Sequence, residues 1–436
     1  MTETKKPILS EDWTVVVLGF LIILVTLFAF LLPVPAFVWK TENDLTGKVF
    51  AASNLARIGL QFVFVLLIAW AGAILTGKTT RSFLVVFPVL YLLTIIALVL
   101  AGNSRIKAIN LEAVIFSLSI GLLIGNLFRL PNWFRAVLTT ELFVKIGLVL
   151  LGTTVIFSDI LKAGSLGLIQ ALIVVLSVWY FAFWICKRMK VDDEMGLMIS
   201  SAVSICGVSA AIATAGAIKG DPRKLSYVIS MVLITAIPMM IFMPYIAAHF
   251  NFSQAVTGAW LGGSIDTTGA VVASGTLVGE EALKISTIVK FSQNVLLGLA
   301  AFVISVYWTY TKFNASKSKG AKPTLKIIWE RFPKFVLGFL IASALVTLLS
   351  AGYSFDEYKK VVEPNLVAPL KDLRSWFFIF CFFSIGLTTR FREFVTVGSK
   401  PFLGFTAGVV VNVILGFLLS AVVFERYWIG VLETPQ

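Results

Sequence analysis

Apolar residues in this chain come in continuous blocks about 20 long, separated by short polar joints. About thirteen such segments run near 13–34, 56–77, 82–101, 110–128, 136–158, 164–186, 195–218, 225–248, 254–278, 283–309, 332–350, 373–389 and 401–424. Some 20 residues of helix cross roughly 30 Å of hydrocarbon. Only helices and closed barrels satisfy their backbone groups in lipid. Barrel strands would show short alternating segments, whereas these blocks are unbroken runs of Leu, Val, Ile and Phe. The pattern predicts an all-α polytopic membrane protein with about 11–13 transmembrane helices. The first block opens at Thr14, after Ser10, Glu11 and Asp12, which suit a helix start. It reaches Pro33, too long for a signal-peptide core, and no small-residue cleavage site follows, so it reads as the first span.

Composition agrees. Of 436 residues, 58% are hydrophobic and only 14% charged, with a mean hydropathy of +0.94; soluble chains carry about 25% charged residues. The net charge of +13 sits in the joints, as expected of membrane topology. No basic run alternates with aromatics, which argues against nucleic acid as a partner. The basic insert 311–331, TKFNASKSKGAKPTLKIIWER, reads as a linker. If it is cytoplasmic and every segment crosses, the N-terminus is cytoplasmic too. That side then carries Lys78, Arg81, Arg129, Arg135, Lys187, Arg188, Lys190, Arg390, Arg392 and Lys400. Cys186, Cys206 and Cys381 lie in apolar segments without disulfide or metal spacing, and His249 is the single histidine. A His-based metal site or a catalytic triad is not expected, nor a cofactor, nor an enzyme.

One stretch repeats. Gly152 to Ser165 reads GTTVIFSDILKAGS and Gly386 to Ser399 reads GLTTRFREFVTVGS. Gly152, Phe157, Asp159, Gly164 and Ser165 match Gly386, Phe391, Glu393, Gly398 and Ser399 at one constant offset. An odd number of segments separates the copies, so they would face opposite sides of the membrane, as in inverted-repeat transporters.

Two segments are not plain greasy spans. Ser200 to Gly216, SSAVSICGVSAAIATAG, is small and hydroxylic. Gly258 to Ala270, GAWLGGSIDTTGA, places paired glycines, Asp266 and three hydroxyls at mid-membrane depth. Small residues alone are explained by tight helix packing, which does not require Asp266. A charge at that depth costs roughly 2.5–3.5 kcal/mol on insertion scales. Glycines flanking a polar cluster predict interrupted helices, whose free N–H groups suit an anion and whose free carbonyls suit a cation. Lys290, with Gln293 and Asn294 a turn later, forms another polar face inside an apolar segment. It either snorkels to the interface or lines a polar cavity with Asp266. Glu141 and Lys145 have the i,i+4 spacing of a self-neutralising pair, and Glu112 stands at a helix start.

These residues carry a resemblance. Cys206-Gly207-Val208-Ser209-Ala210-Ala211-Ile212-Ala213 resembles the CGxSAxAA signature of the YeiH-type sulfate exporter family. KIGLVLLG, from Lys145 to Gly152, and FSIGLT, from Phe383 to Thr388, resemble two further family segments. The likeness covers most of the chain from about the fourth segment onward. It implies a fold akin to sodium/proton antiporters and bile-acid sodium symporters, with two interrupted helices crossing at the membrane centre. It also implies a multi-pass protein of the bacterial inner membrane, and similar folds form homodimers. Where the family reads G-G-[ST]-[IV]-H-E-x-x-Q-V, this chain has Gly262 to Val271 with Asp266, Thr267 and Ala270 in place of His, Glu and Gln. The arginine of the family's VKLxR is Gln293 here. Losing a cation and gaining an acid moves the pocket away from a sulfate-like dianion.

The expectation is a secondary transporter of a small sulfate- or sulfonate-like anion, coupled to protons or sodium, working by alternating access. Residues 1–110 would be N-terminal scaffold, 111–310 the transport core, 311–331 the linker and 332–436 the C-terminal helices. Asp266 would carry the proton, or a sodium ion near it. Lys290 would be its counter-charge or the anion ligand. Backbone N–H groups near Cys206, Gly207 and Gly263, with Ser209, Ser264, Thr267, Thr268 and Asn294, would hold the substrate. A cation/proton antiporter is the alternative, and a non-transporting membrane sensor is a third reading from another class.

Overall fold

The computed structural model describes residues 6–28, 32–78, 80–108, 112–312, 325–390 and 399–431. The main helices are α1 Glu11–Phe28, α2 Ala52–Leu75, α3 Thr80–Ala101, α4 Ala113–Leu127, α5 Thr140–Gly152 and α6 Phe157–Arg188. Then come α7 Asp193–Ser201, α8 Val208–Ile218, α9 Pro222–His249, α10 Gln254–Ser264, α11 Thr268–Val278 and α12 Glu280–Lys312. The last are α13 Lys334–Ser350, α14 Ala368–Thr388 and α15 Ser399–Leu418. The described residues contain no strand, only an isolated bridge between Trp39 and Asn103.

The helix starts follow local chemistry. The Ser10 hydroxyl accepts from the Trp13 N–H at 3.4 Å, with Glu11 and Asp12 in the first turn of α1. Asp192, Asp221, Ser253 and Thr267 cap α7, α9, α10 and α11 through their side-chain oxygens. Glu112 is the N-cap of α4, and His249 ends α9.

Among the described residues seven helices, α1, α2, α3, α6, α9, α12 and α15, are long and apolar enough to cross a membrane. The protein is an all-α, multi-pass membrane protein. The other apolar segments form shorter or more polar helices. Two of them, 195–218 and 254–278, are each split into half-helices.

The chain forms two compact units. The first comprises Met1–Phe157 with Lys334–Arg390. In it, α14 packs against both α4 and α5. The α4 and α14 backbones touch at glycines: a Cβ on Gly121 would lie 3.1 Å from the Gly386 Cα, and one on Gly125 only 2.8 Å from the Gly386 oxygen. Lys145 bonds Glu11 and Asp12, each at 3.0 Å, besides the anticipated Glu141 at 3.5 Å, and so ties α1 to α5.

The second unit comprises Ser158–Pro333 with Phe391–Gln436. Both α10 and α11 lie against the first turns of α12. A Cβ on Gly258 would come within 2.8 Å of the Ala282 oxygen, and one on Gly275 within 2.9 Å of the Leu283 Cα. Glycine is needed at these approaches because no side chain fits.

This grouping differs from a linear division with a core over 111–310. Residues 111–157 belong with the N-terminal helices, because α4 and α5 bury their small faces on α14. The chain passes from the first unit to the second twice, after Phe157 and after Arg390. Both passages fall within the repeated stretch. Its second copy from 391 to 398, with Phe391, Glu393 and Gly398, lies outside the described residues, as does 313–324 of the linker.

Candidate functional site

The two small-residue segments break where the glycines and Asp266 predict. The first runs as α7, continues through a π-helical turn Ala202–Cys206, and stops at Gly207. Gly207 adopts φ 59° and ψ −114°, a conformation costly for any residue with a Cβ. From there α8 restarts. The second runs as α10, opens at Ile265 and Asp266, and restarts as α11 under the Thr267 cap. The breaks touch each other. A Cβ on Gly207 would lie 3.2 Å from Thr267 Cγ2 and 3.4 Å from Asp266 Cβ.

Four helix ends therefore meet. The ends of the α7 turn and of α10 present carbonyls with partial negative charge, and the starts of α8 and α11 present N–H groups with partial positive charge. The Lys290 ammonium serves the carbonyl ends. It donates to the Ile205 oxygen at 2.7 Å, the Ile265 oxygen at 2.8 Å and Gln293 Oε1 at 2.9 Å. An ammonium has three protons, so Lys290 is saturated, and it is only 1% exposed. Gln293 in turn donates to the Gly263 oxygen at 2.7 Å.

Asp266 stands beside the N–H ends. It is 2% exposed, and neither carboxylate oxygen has a hydrogen-bond partner among the described residues. No ion pair joins Asp266 and Lys290: the cation holds carbonyl ends together, and neither carboxylate oxygen is bonded among the described residues. The physical reason is proximity, since Lys290 reaches two uncapped carbonyls that would otherwise be buried unpaired.

The remaining predicted residues divide. Thr267 and Thr268 are at the second break; Thr267 caps Ala270, and the Thr268 hydroxyl accepts from Asn294 Nδ2 at 3.3 Å. The Asn294 Oδ1 is buried and, like Asp266, has no partner among the described residues. Ser264 is fully buried, and its hydroxyl too has no partner among the described residues. Cys206 is buried in a cluster with Val175, Ile205, Ala210, Ala213, Leu297 and Ala301. Gly263 lies in the last turn of α10, an end that offers carbonyls, so free N–H groups near it must come from the start of α11 instead. The Gly207 N–H bonds the Ala202 oxygen, and the N–H groups left open begin at Val208, with no side-chain cap. Ser209 is exposed, unlike the buried Asp266. No group of three or more His, Cys, Asp or Glu suited to a metal ion occurs among the described residues.

Two buried amides escaped the sequence reading. Gln170 of α6 donates to the Ala259 oxygen at 3.2 Å and the Ser420 hydroxyl at 2.9 Å. Asn412 of α15 donates to the Val203 oxygen at 2.9 Å and the Ser264 oxygen at 3.0 Å. A signal for Asn412 was present: Gly404, Gly408, Asn412 and Gly416 recur every four residues along one helix face.

Comparison with known proteins places the chain. The family described as Conserved hypothetical protein 698 matches residues 86–404. A UPF0324 membrane protein of Rhodopirellula baltica is 37% identical over 390 residues, 88% of this chain and 70% of the relative. Two UPF0324 membrane proteins of Nitratidesulfovibrio vulgaris are 36% identical over 353 residues and 35% identical over 391. These cover 80% and 88% of this chain. The chain spans only 60% and 66% of those two relatives' own length. No solved structure matches the chain.

Proposed function

The chain belongs to the family of Conserved hypothetical protein 698, and from that premise we propose that it is a secondary active transporter, not an enzyme. It moves a small sulfate- or sulfonate-like anion by alternating access, together with a proton or a sodium ion carried at Asp266. The observation that carries this reading is the contact between two helix breaks with the unpartnered Asp266 carboxylate beside it. A plain membrane anchor or sensor has no use for such a group, because a buried charge without partners is costly. The uncapped N–H groups at the start of α8 are the anion's ligands. An anion there would repel an ionised Asp266, so anion and proton travel together. The resemblance to the YeiH-type sulfate exporters supports the substrate class. The inner membrane, a cytoplasmic N-terminus and a homodimer complete the reading.

One observation favours a second reading. Lys290 has all three protons engaged with protein acceptors and none left for an anion. A site with an open carboxylate and no available side-chain cation suits a cation/proton antiporter.

Proteoliposomes carrying a pH-sensitive dye separate the two. Under the first reading an imposed sulfate or sulfonate gradient changes the internal pH, and Asp266→Asn abolishes the change. Under the second, sodium or lithium alone dissipates a pH gradient and sulfate does nothing. Unchanged coupled flux in Asp266→Asn would remove Asp266 from either mechanism.

A further inference from the structure

Lys290 joins the two interrupted segments from one side, through Ile205 and Ile265. A second link uses different residues. The Asn412 amide nitrogen donates one proton to the Val203 oxygen and the other to the Ser264 oxygen, one acceptor in each interrupted segment. Val203 lies in the π-helical turn before Gly207, and Ser264 is the last residue of α10. In both places the regular helical hydrogen-bond ladder is failing, so these carbonyls need outside donors. Asn412, Val203 and Ser264 are all buried, so these carbonyls are cut off from bulk solvent.

The helix that carries Asn412 is shaped for this contact. A Cβ on Gly408 would come within 3.1 Å of Val203 Cγ1, and one on Gly416 would strike the Ser264 hydroxyl. Glycines one turn either side let the α15 backbone approach both segments closely enough for a short side chain to span them.

We propose that Asn412 is a positioning residue that holds the two helix breaks together and so sets the place of Asp266. It hydrogen-bonds neither the Asp266 carboxylate nor the open N–H groups of α8 among the described residues, and acts through the Val203 and Ser264 carbonyls.

Cys206, buried beside the first break, reports whether the breaks stay closed. In a Cys186→Ser, Cys381→Ser background reconstituted in lipid, the labelling rate of Cys206 by a maleimide is measured for three variants. Asn412→Leu keeps the bulk and loses the donor; it should label more than about tenfold faster, because two buried carbonyls lose their partners. Asn412→Gln keeps the amide and should stay within about threefold of the parent. A packing role predicts the reverse, since Leu fills the space and Gln overfills it. Gly416→Ala pushes α15 away from Ser264 without touching Asn412. It should also raise labelling, and it decides the matter if Asn412→Leu does not fold. Parent-like labelling in the folded Asn412→Leu protein overturns the proposal, as does equal acceleration by Leu and Gln, or an unchanged rate in Gly416→Ala when that variant must decide.

Discussion

Lys290 and Asp266 carry the two formal charges of the helix junction, yet they make no ion pair. Lys290 gives its protons to the Ile205 and Ile265 carbonyls and to Gln293, and the Asp266 carboxylate has no hydrogen-bond partner among the described residues. The cation satisfies two carbonyl-bearing helix ends at once. The anion sits by the N–H-bearing ends, where helix dipoles favour negative charge. No salt bridge joins them, and each charge can be tested separately.

Lys290→Met tests the first role. It keeps the length of the side chain and leaves the Ile205 and Ile265 carbonyls buried without a donor. A loss on the order of 3 kcal/mol is expected, since hydrogen bonds to a charged group each contribute roughly 1.5–3 kcal/mol. Denaturant unfolding in detergent reads it, with Lys290→Arg losing less. A Met variant as stable as the parent would show that other donors reach those carbonyls.

Asp266→Asn tests the second. The neutral amide is cheaper to bury than a carboxylate, and no described donor is lost. Folding stability should hold or rise while coupled flux disappears. A drop of more than about 1 kcal/mol would mean that the carboxylate accepts hydrogen bonds in the membrane-embedded protein.

Gly207→Ala addresses the first break. At φ 59° a Cβ is strained, and it would sit 2.8 Å from Val232 Cγ1. A cost of about 1–3 kcal/mol is expected from the backbone conformation, read as a lowered unfolding midpoint. Gly47→Ala, where a Cβ meets nothing within 4 Å, is the control. Equal midpoints for the two variants would argue that the first segment is continuous.

Lys145 in the other unit offers a test by salt. It is partly shielded, with a side chain 13% exposed, while Glu11, Asp12 and Glu141 around it are more open to solvent. Exposed charges are screened within about 8 Å at physiological ionic strength. Lys145→Met should therefore destabilise the protein at low salt, by about 1 kcal/mol, and by visibly less in 1 M sodium chloride, where screening falls to about 3 Å. A penalty independent of salt would assign Lys145 a packing role over Phe335.

The breaks were legible in the sequence because the signals are local. Gly207 in a run of small residues, and Gly262-Gly263 before Asp266, mark places where a helix loses its reasons to continue. The start of α1, the N-cap role of Glu112 and the pairing of Glu141 with Lys145 were legible for the same reason. Gln293 was legible beside Lys290, but the other two partners of Lys290 were not. They are backbone carbonyls 85 and 25 residues away, and a carbonyl has no letter in the sequence. The glycine spacing around Asn412 marks a close-packed helix face but names no partner, since Val203 and Ser264 lie far off along the chain. Ser209, read as a ligand from its motif, is exposed, because one residue turns a helix position by about 100° and the motif does not say which face is buried.

By itself the sequence determined the membrane class, the helical periodicity and the positions of the two interruptions, since each follows from hydrocarbon thickness, backbone satisfaction in lipid and the conformational freedom of glycine. Only the tertiary structure decided that the breaks touch, that 111–157 joins the N-terminal helices, and that Lys290 serves carbonyls while Asp266 stays open. Those outcomes depend on which distant backbone groups arrive unpaired at the same buried point, and a buried donor goes to the nearest acceptor that would otherwise lack one.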